Sequence, residues 1–141
     1  MTNGVIVTSH ASLASGVYSA VQMIAGDFEN VRVLEFKNGN KLDDFDNNLK
    51  KLYDDLNDYK NVIVLADLAG GTPFNRAVLN LSQYDNVRII GGINFASLFQ
   101  AINSDCENID DCVSEIIQTA KDSIIQYKLD PIDSEEDDFE L

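Results

Sequence analysis

A chain of 141 residues with 45% hydrophobic and 24% charged content has the size and balance of one globular domain, which buries about 70% of its unfolded surface at this length. The net charge of −14 argues against nucleic acid or an anionic membrane as a partner, because both are held through Lys and Arg. From Asp130 onward there are seven acids and no base, so half of that charge falls on an acidic tail, 130–141, and residues 1–129 form the expected domain. The start, Met1-Thr2-Asn3-Gly4, lacks the basic region of a signal peptide. No apolar run approaches the roughly 20 residues of a membrane span, so a cytoplasmic protein is expected.

Taken in order, the chain alternates two kinds of segment. Val5-Ile6-Val7 is a first strand, and Leu13, Val17, Ala20, Val21 and Ile24 then repeat at helical spacing up to Gly26, where a helix would stop. Val31–Leu34 is a second strand, followed by a helical pattern through Leu42, Phe45, Leu49, Leu52, Tyr53 and Leu56. Val62–Ala66 is a nearly continuous apolar run, the pattern of a strand buried on both faces of a parallel sheet. Thr72-Pro73 opens a third helix, with Thr72 as N-cap and Pro73 at the first helical position. Val87–Ile90 is the fourth strand, Ala96–Ile102 a short helix and Ile109–Tyr127 a longer one, whose end, Ser123–Leu129, reads equally well as a strand. The alternation specifies an α/β fold with an open, mainly parallel sheet and helices on both faces. Cys106 and Cys112 fit neither a redox CxxC nor a zinc spacing, and a cytoplasmic setting argues against a disulfide between them.

In such sheets ligands bind beyond the carboxyl ends of the strands. Those ends carry Thr8-Ser9-His10, Glu35-Phe36, Asp67 with Gly70-Gly71-Thr72-Pro73, and Gly91-Gly92. In a 2-1-3-4 strand order His10, the one histidine of the chain, emerges beside Asp67. A carboxylate that accepts the proton of one ring nitrogen leaves a lone pair on the other for attack. Gly70 and Gly71 let the backbone approach a ligand, and the N–H groups opening the next helix favour an anion such as a phosphoryl group. Taken singly, each feature also has a plain reading, as a loop histidine, a strand-end cap or a strand-to-helix turn. Asp67 as the acceptor of a magnesium-dependent phosphatase or receiver-like domain is disfavoured, because the paired acids at the first strand end are missing.

These residues carry a resemblance. Val5–His10, Leu13-Ala14-Ser15-Gly16, Val64–Asn75 and Gly91-Gly92-Ile93-Asn94 together resemble the IIA component of the mannose-family bacterial sugar phosphotransferase system, over roughly Gly4 to Tyr127. The resemblance implies that His10 takes a phosphoryl group on its tele nitrogen from phospho-HPr and passes it to a IIB component, serving a IIC/IID membrane complex with which the protein associates peripherally. It implies Asp67 as the hydrogen-bond partner of His10, a pocket of Ser9, Phe36, Gly70, Gly71 and Thr72, no metal and no cofactor. A homodimer with an exchanged antiparallel C-terminal strand is implied too, and Ser123–Leu129 would be that strand. Leu68-Ala69 stands where mannose members carry a tryptophan, and Ser9–Gly16 is closer to the N-acetylgalactosamine type, which implies that sugar or a related hexose. A regulatory IIA-like domain, phosphorylated on His10 without a transport role, is the alternative; the dihydroxyacetone-kinase phosphocarrier shares the fold but is expected to carry Gly-Ser-Ala after its aspartate.

Overall fold

The computed structural model describes residues 3–129. Nine elements follow in order: β1 (Asn3–His10), α1 (Leu13–Ala25), β2 (Val31–Phe36), α2 (Leu42–Asp55), β3 (Asn61–Ala66), α3 (Thr72–Leu81), β4 (Val87–Gly91), α4 (Phe95–Asn103) and α5 (Ile109–Asp122). The four strands form one sheet in the order β2-β1-β3-β4, with every neighbouring pair parallel. This is the expected α/β architecture and strand order.

Strand periodicity divides the core into two layers. Val5 and Val7 of β1 and Ile63 and Leu65 of β3 face α1, α4 and α5, burying Ala14, Val21, Leu98, Ala101, Ile102 and Ile116. Ile6, Val62 and Val64 point to the opposite face, where Phe45 and Leu49 of α2 and Ala77 and Leu81 of α3 close over them. Alternate residues of β3 are therefore buried on opposite sides, which is why its sequence is unbroken by polar residues. Each such fully buried side chain contributes roughly 1.5–3 kcal/mol.

The structure departs from expectation in three places. Gly71 rather than Thr72 takes the N-cap of α3, with extended backbone and no side-chain cap, so Pro73 moves to the second position. There its missing N–H still costs no intrahelical bond. The last helix stops at Asp122 with Ser123 as its C-cap, and residues 124–129 carry no regular structure while exposing Ile124, Ile125, Tyr127 and Leu129. Cys106 and Cys112, read as unpaired, are joined by a disulfide. The α4–α5 connection folds back so that Cys106 meets buried Cys112 in the second turn of α5, a proximity that spacing in the sequence does not reveal. The acidic tail, 130–141, lies outside the described residues.

Among the described residues no helix is long and apolar enough to cross a membrane.

Candidate functional site

The chain runs from β1 to β2 on one side of the sheet and then returns to place β3 on the other side of β1. The crevice beyond the carboxyl ends of β1 and β3 is therefore the topological switch point, where open α/β sheets bind their ligands. His10 is the last residue of β1, and Asp67 follows the last residue of β3.

The two meet closely. Asp67 Oδ2 lies 2.9 Å from His10 Nδ1 and also accepts the backbone N–H of His10 at 3.1 Å. A carboxylate oxygen only accepts, so Nδ1 carries the ring proton and Nε2 holds the lone pair. The other oxygen, Oδ1, is buried with no hydrogen-bond partner among the described residues, so Asp67 bonds through Oδ2 to His10. The Asp67 side chain is 11% exposed and that of His10 44%: a mostly buried carboxylate holds a ring that faces solvent.

The loop after β3 closes on this ring. Gly70 has φ +83°, in the left-handed region that glycine enters without penalty. The Gly71 N–H donates to the Leu68 carbonyl at 3.0 Å. A Cβ on Gly71 would stand 2.8 Å from His10 Cε1, so glycine here makes room for the histidine itself. Cε1 lies between the two ring nitrogens, so the start of α3 stands against the edge of the ring that carries them. Thr72, the first residue of α3, is half-buried. Gly91, at the end of β4, serves the same loop, since a Cβ there would meet Ala69 at 2.7 Å.

Beside the ring an open depression of about 470 Å³ is lined by His10, Ala11, Ser12, Phe36, Lys37 and Asn38. His10 is the register partner of Phe36, and the Ala11 N–H donates to the Phe36 carbonyl at 2.9 Å. Ala11 adopts φ +49°, an uncommon conformation for a residue with a Cβ. Phe36 is held in turn by Phe45 of α2, edge to face at a ring separation of 5.5 Å.

Of the expected site residues, His10 bonds Asp67 and lies against Gly71, Phe36 shares the depression, and Gly70 shapes the loop. Ser9 is buried, and its hydroxyl accepts the Ala14 N–H at 2.7 Å, serving the start of α1. Glu35 joins it there, with Oε2 accepting the Ser15 N–H at 2.8 Å and Oε1 lying 3.6 Å from Lys37 Nζ. Burial pushes the Glu35 carboxyl up, but the Ser15 hydrogen bonds and the Lys37 charge outweigh it and hold Glu35 below its ordinary value. Two helices thus begin beside His10: α1 has its N–H groups engaged by Ser9 and Glu35, whereas α3 has no side-chain cap. Sequence reading reaches Glu35 as a strand-end residue but misses this role and passes over Lys37; the turn after β2, at the same sheet end as His10, is the signal that points to both.

Residues 4–117 match the family model EIIA-man, described as PTS system fructose IIA component. The chain belongs to this family. Among solved structures, EIIA from Streptococcus agalactiae superposes with a TM-score of 0.79 at 29% identity, covering 88% of this chain and 96% of that one. The PTS IIA protein associated with the fucose utilization operon of Streptococcus pneumoniae gives 0.78 at 30%, over 89% and 93%. The PTS system mannose-specific EIIAB component of Escherichia coli K12 is 24% identical over 94% of this chain, which spans 42% of that relative's length. The EIIA-man fold and the His10–Asp67 contact are therefore found in the same chain.

Proposed function

We propose that this chain is a phosphocarrier of a sugar phosphotransferase system, in which His10 accepts a phosphoryl group from phospho-HPr and delivers it to a IIB component. The observation that carries this reading is the 2.9 Å contact of His10 Nδ1 with Asp67 on a ring that remains 44% exposed. In the forward step the Nε2 lone pair forms the new N–P bond. The N–P bond of the donor phosphohistidine breaks, and its electron pair returns to the donor imidazole. The Nδ1 proton stays with His10, and Asp67 steadies the positive charge that develops on its ring. Donor and acceptor are both phosphohistidine, so the transfer is close to isoenergetic and its rate depends on positioning and charge stabilisation. The uncapped start of α3, against the His10 ring, supplies N–H groups for the phosphoryl oxygens, while Phe36, Gly70, Gly71 and Thr72 border them and Ser9 supports the β1–α1 turn.

The remaining assignments belong to the same proposal. Residues 1–129 are the EIIA domain and 130–141 an acidic tail; the protein works in the cytoplasm, peripherally associated with a IIC/IID transporter. Ile125, Tyr127 and Leu129 alternate with Gln126 and Lys128 in the pattern of a strand, and β4 is an edge of the sheet. Both features support a homodimer in which this segment of one copy pairs with β4 of the other. Relatives with comparable identity are named for mannose and for fructose, so the sugar assignment, N-acetylgalactosamine or a related hexose, rests on the Ser9–Gly16 stretch.

Incubation with phosphoenolpyruvate, enzyme I and HPr tests the central claim. Intact mass is expected to show one acid-labile phosphoryl group on the wild type and none on His10→Ala. An unlabelled wild type beside a labelled control IIA protein refutes the carrier role.

A further inference from the structure

Placing a phosphoryl group on His10 adds between about 1.5 and 2 negative charges to a chain that already carries −14. Among the described residues lining the depression beside the ring, Lys37 is the one with an ammonium or guanidinium side chain. Its position is set by the strand register. Phe36 pairs with His10 across β2 and β1, and Lys37 is the next residue, where the chain leaves the sheet. The Lys37 N–H donates to Asn40 Oδ1 at 2.7 Å, and the Asn40 N–H donates to the Lys37 carbonyl at 3.0 Å. Gly39 closes this turn with φ +86°. The backbone of Lys37 is thus anchored beside the site, whereas its side chain is 59% exposed and lies 3.6 Å from one oxygen of Glu35, beyond ordinary hydrogen-bond length.

The other cations with close carboxylate partners are committed elsewhere. Arg76 forms a two-pronged pair with Asp46, and Arg88 pairs with Asp110 at 2.7 Å. The competitor for Lys37 is Glu35, a single carboxylate whose second oxygen is engaged by the Ser15 N–H. A phosphoryl dianion in the same depression offers more charge and three acceptor oxygens. A flexible ammonium group on an anchored backbone moves toward it at little cost.

We propose that Lys37 is the counter-ion of phosphorylated His10, leaving Glu35 when the phosphoryl group arrives and holding it in the depression beside the ring. The proposal rests on the reading of His10 as the phosphoryl acceptor. In this role Lys37 biases the transfer equilibrium toward the phosphorylated chain, and Glu35 receives it again when the group departs.

The test uses purified full-length protein, with His10 phosphorylated either by phospho-HPr or directly by potassium phosphoramidate. The equilibrium distribution of phosphoryl groups between this chain and HPr is then measured for wild type, Lys37→Met and Lys37→Arg. Lys37→Met is expected to lower the equilibrium constant for the phosphorylated chain roughly three- to tenfold, the range for one partly exposed charge pair. Lys37→Arg is expected to restore most of it. Unphosphorylated wild type and both variants are expected to share one thermal midpoint, which separates charge from folding. An equilibrium for Lys37→Met equal to that of a labelled wild type overturns the role of Lys37 and leaves the carrier reading standing. A wild type labelled by neither donor overturns both.

Discussion

Gly71→Ala probes the His10 ring without touching any group that reacts. Gly71 has φ −79° and ψ 173°, extended backbone that alanine adopts freely, so the substitution carries no conformational strain of its own. The new Cβ would lie 2.8 Å from His10 Cε1 and 3.2 Å from the Leu68 carbonyl oxygen, whereas carbon atoms in contact prefer about 3.5–4.0 Å. Backbone holds one of these neighbours, so the ring is the part that gives, by about 0.7–1.2 Å. It is tied to Asp67 by a 2.9 Å bond, and a shift of that size stretches or bends this bond past useful geometry. Displacements near 1 Å cost about 100-fold in rate, so phosphorylation by HPr is expected to slow between about 10- and 100-fold. The assay is rapid-quench phosphorylation at sub-saturating phospho-HPr, with nitrogen chemical shifts of the His10 ring reporting whether Nδ1 still donates. A rate within about twofold of wild type, with native ring shifts, refutes the claim that Gly71 sets the position of the histidine.

Asp67→Asn keeps the shape of the site but removes the charge that supports the ring, and the transfer rate is expected to fall roughly 10²–10⁴-fold with little change in stability; single-turnover kinetics and thermal melts measure the two effects. Reducing Cys106–Cys112, six residues apart, releases a short closed loop, and the chain-entropy relation gives a loss of about 2 kcal/mol, to be read from urea midpoints with and without a reductant that leaves the fold intact. The Asp46–Arg76 pair makes stability depend on pH. Arg76 hydrogen bonds hold the Asp46 carboxyl below its ordinary value of 3.8, against the opposing push of burial. A carboxyl depressed in the folded state stabilises above its unfolded pKa, and that contribution disappears as pH falls from about 3.8 through the lower folded value. Arg76→Gln is therefore expected to unfold more readily than wild type at neutral pH, with the two denaturation curves converging in acid.

The strand order and both helical layers were legible because local pattern and burial agree: alternate residues of β3 face opposite layers, and an unbroken Val-Ile-Val-Leu-Ala run has few other uses. The placement of His10 and Asp67 at neighbouring strand ends follows from the same order. Other features depend on contacts between segments far apart in the chain. Gly71 reads as room for a ligand, but the atom it makes room for is His10 Cε1, which only the return of β3 beside β1 brings near. Ser9 stands beside the histidine in sequence, yet strand alternation turns it inward, where its hydroxyl meets α1. The disulfide arises from the fold-back of the α4–α5 connection, and six-residue spacing alone is silent about it. At the C-terminus, the apolar periodicity of Ile124 and Ile125 continues the pattern of α5, but the helix ends before them and both side chains stay largely exposed.

If His10 is the phosphoryl acceptor proposed above, the two helix starts flanking it bear on how an acidic protein receives an anion there. The amide groups at the start of a helix attract negative charge, and two such starts on one histidine would draw a phosphoryl group toward both. At α1 that attraction is already answered by Glu35, whose carboxylate is held in its charged form by Ser15 and Lys37. At α3 the cap is glycine, which brings no side-chain acceptor of its own and lets the helix approach the ring. On the proposed reading, the asymmetry leaves the amide groups of α3 free for the incoming group, while Asp67 holds Nδ1. The bonds that settle α1 come from Ser9 and Glu35, both at the strand ends beside the histidine. Neutralising Glu35 therefore disturbs orientation before it disturbs the fold: Glu35→Gln retains an acceptor for the Ser15 N–H but releases Lys37 and exposes the phosphoryl group to a second helix start. Single-turnover transfer is expected to slow in this variant while its thermal midpoint stays near that of wild type, and a loss of stability with unchanged transfer would assign Glu35 to the fold alone.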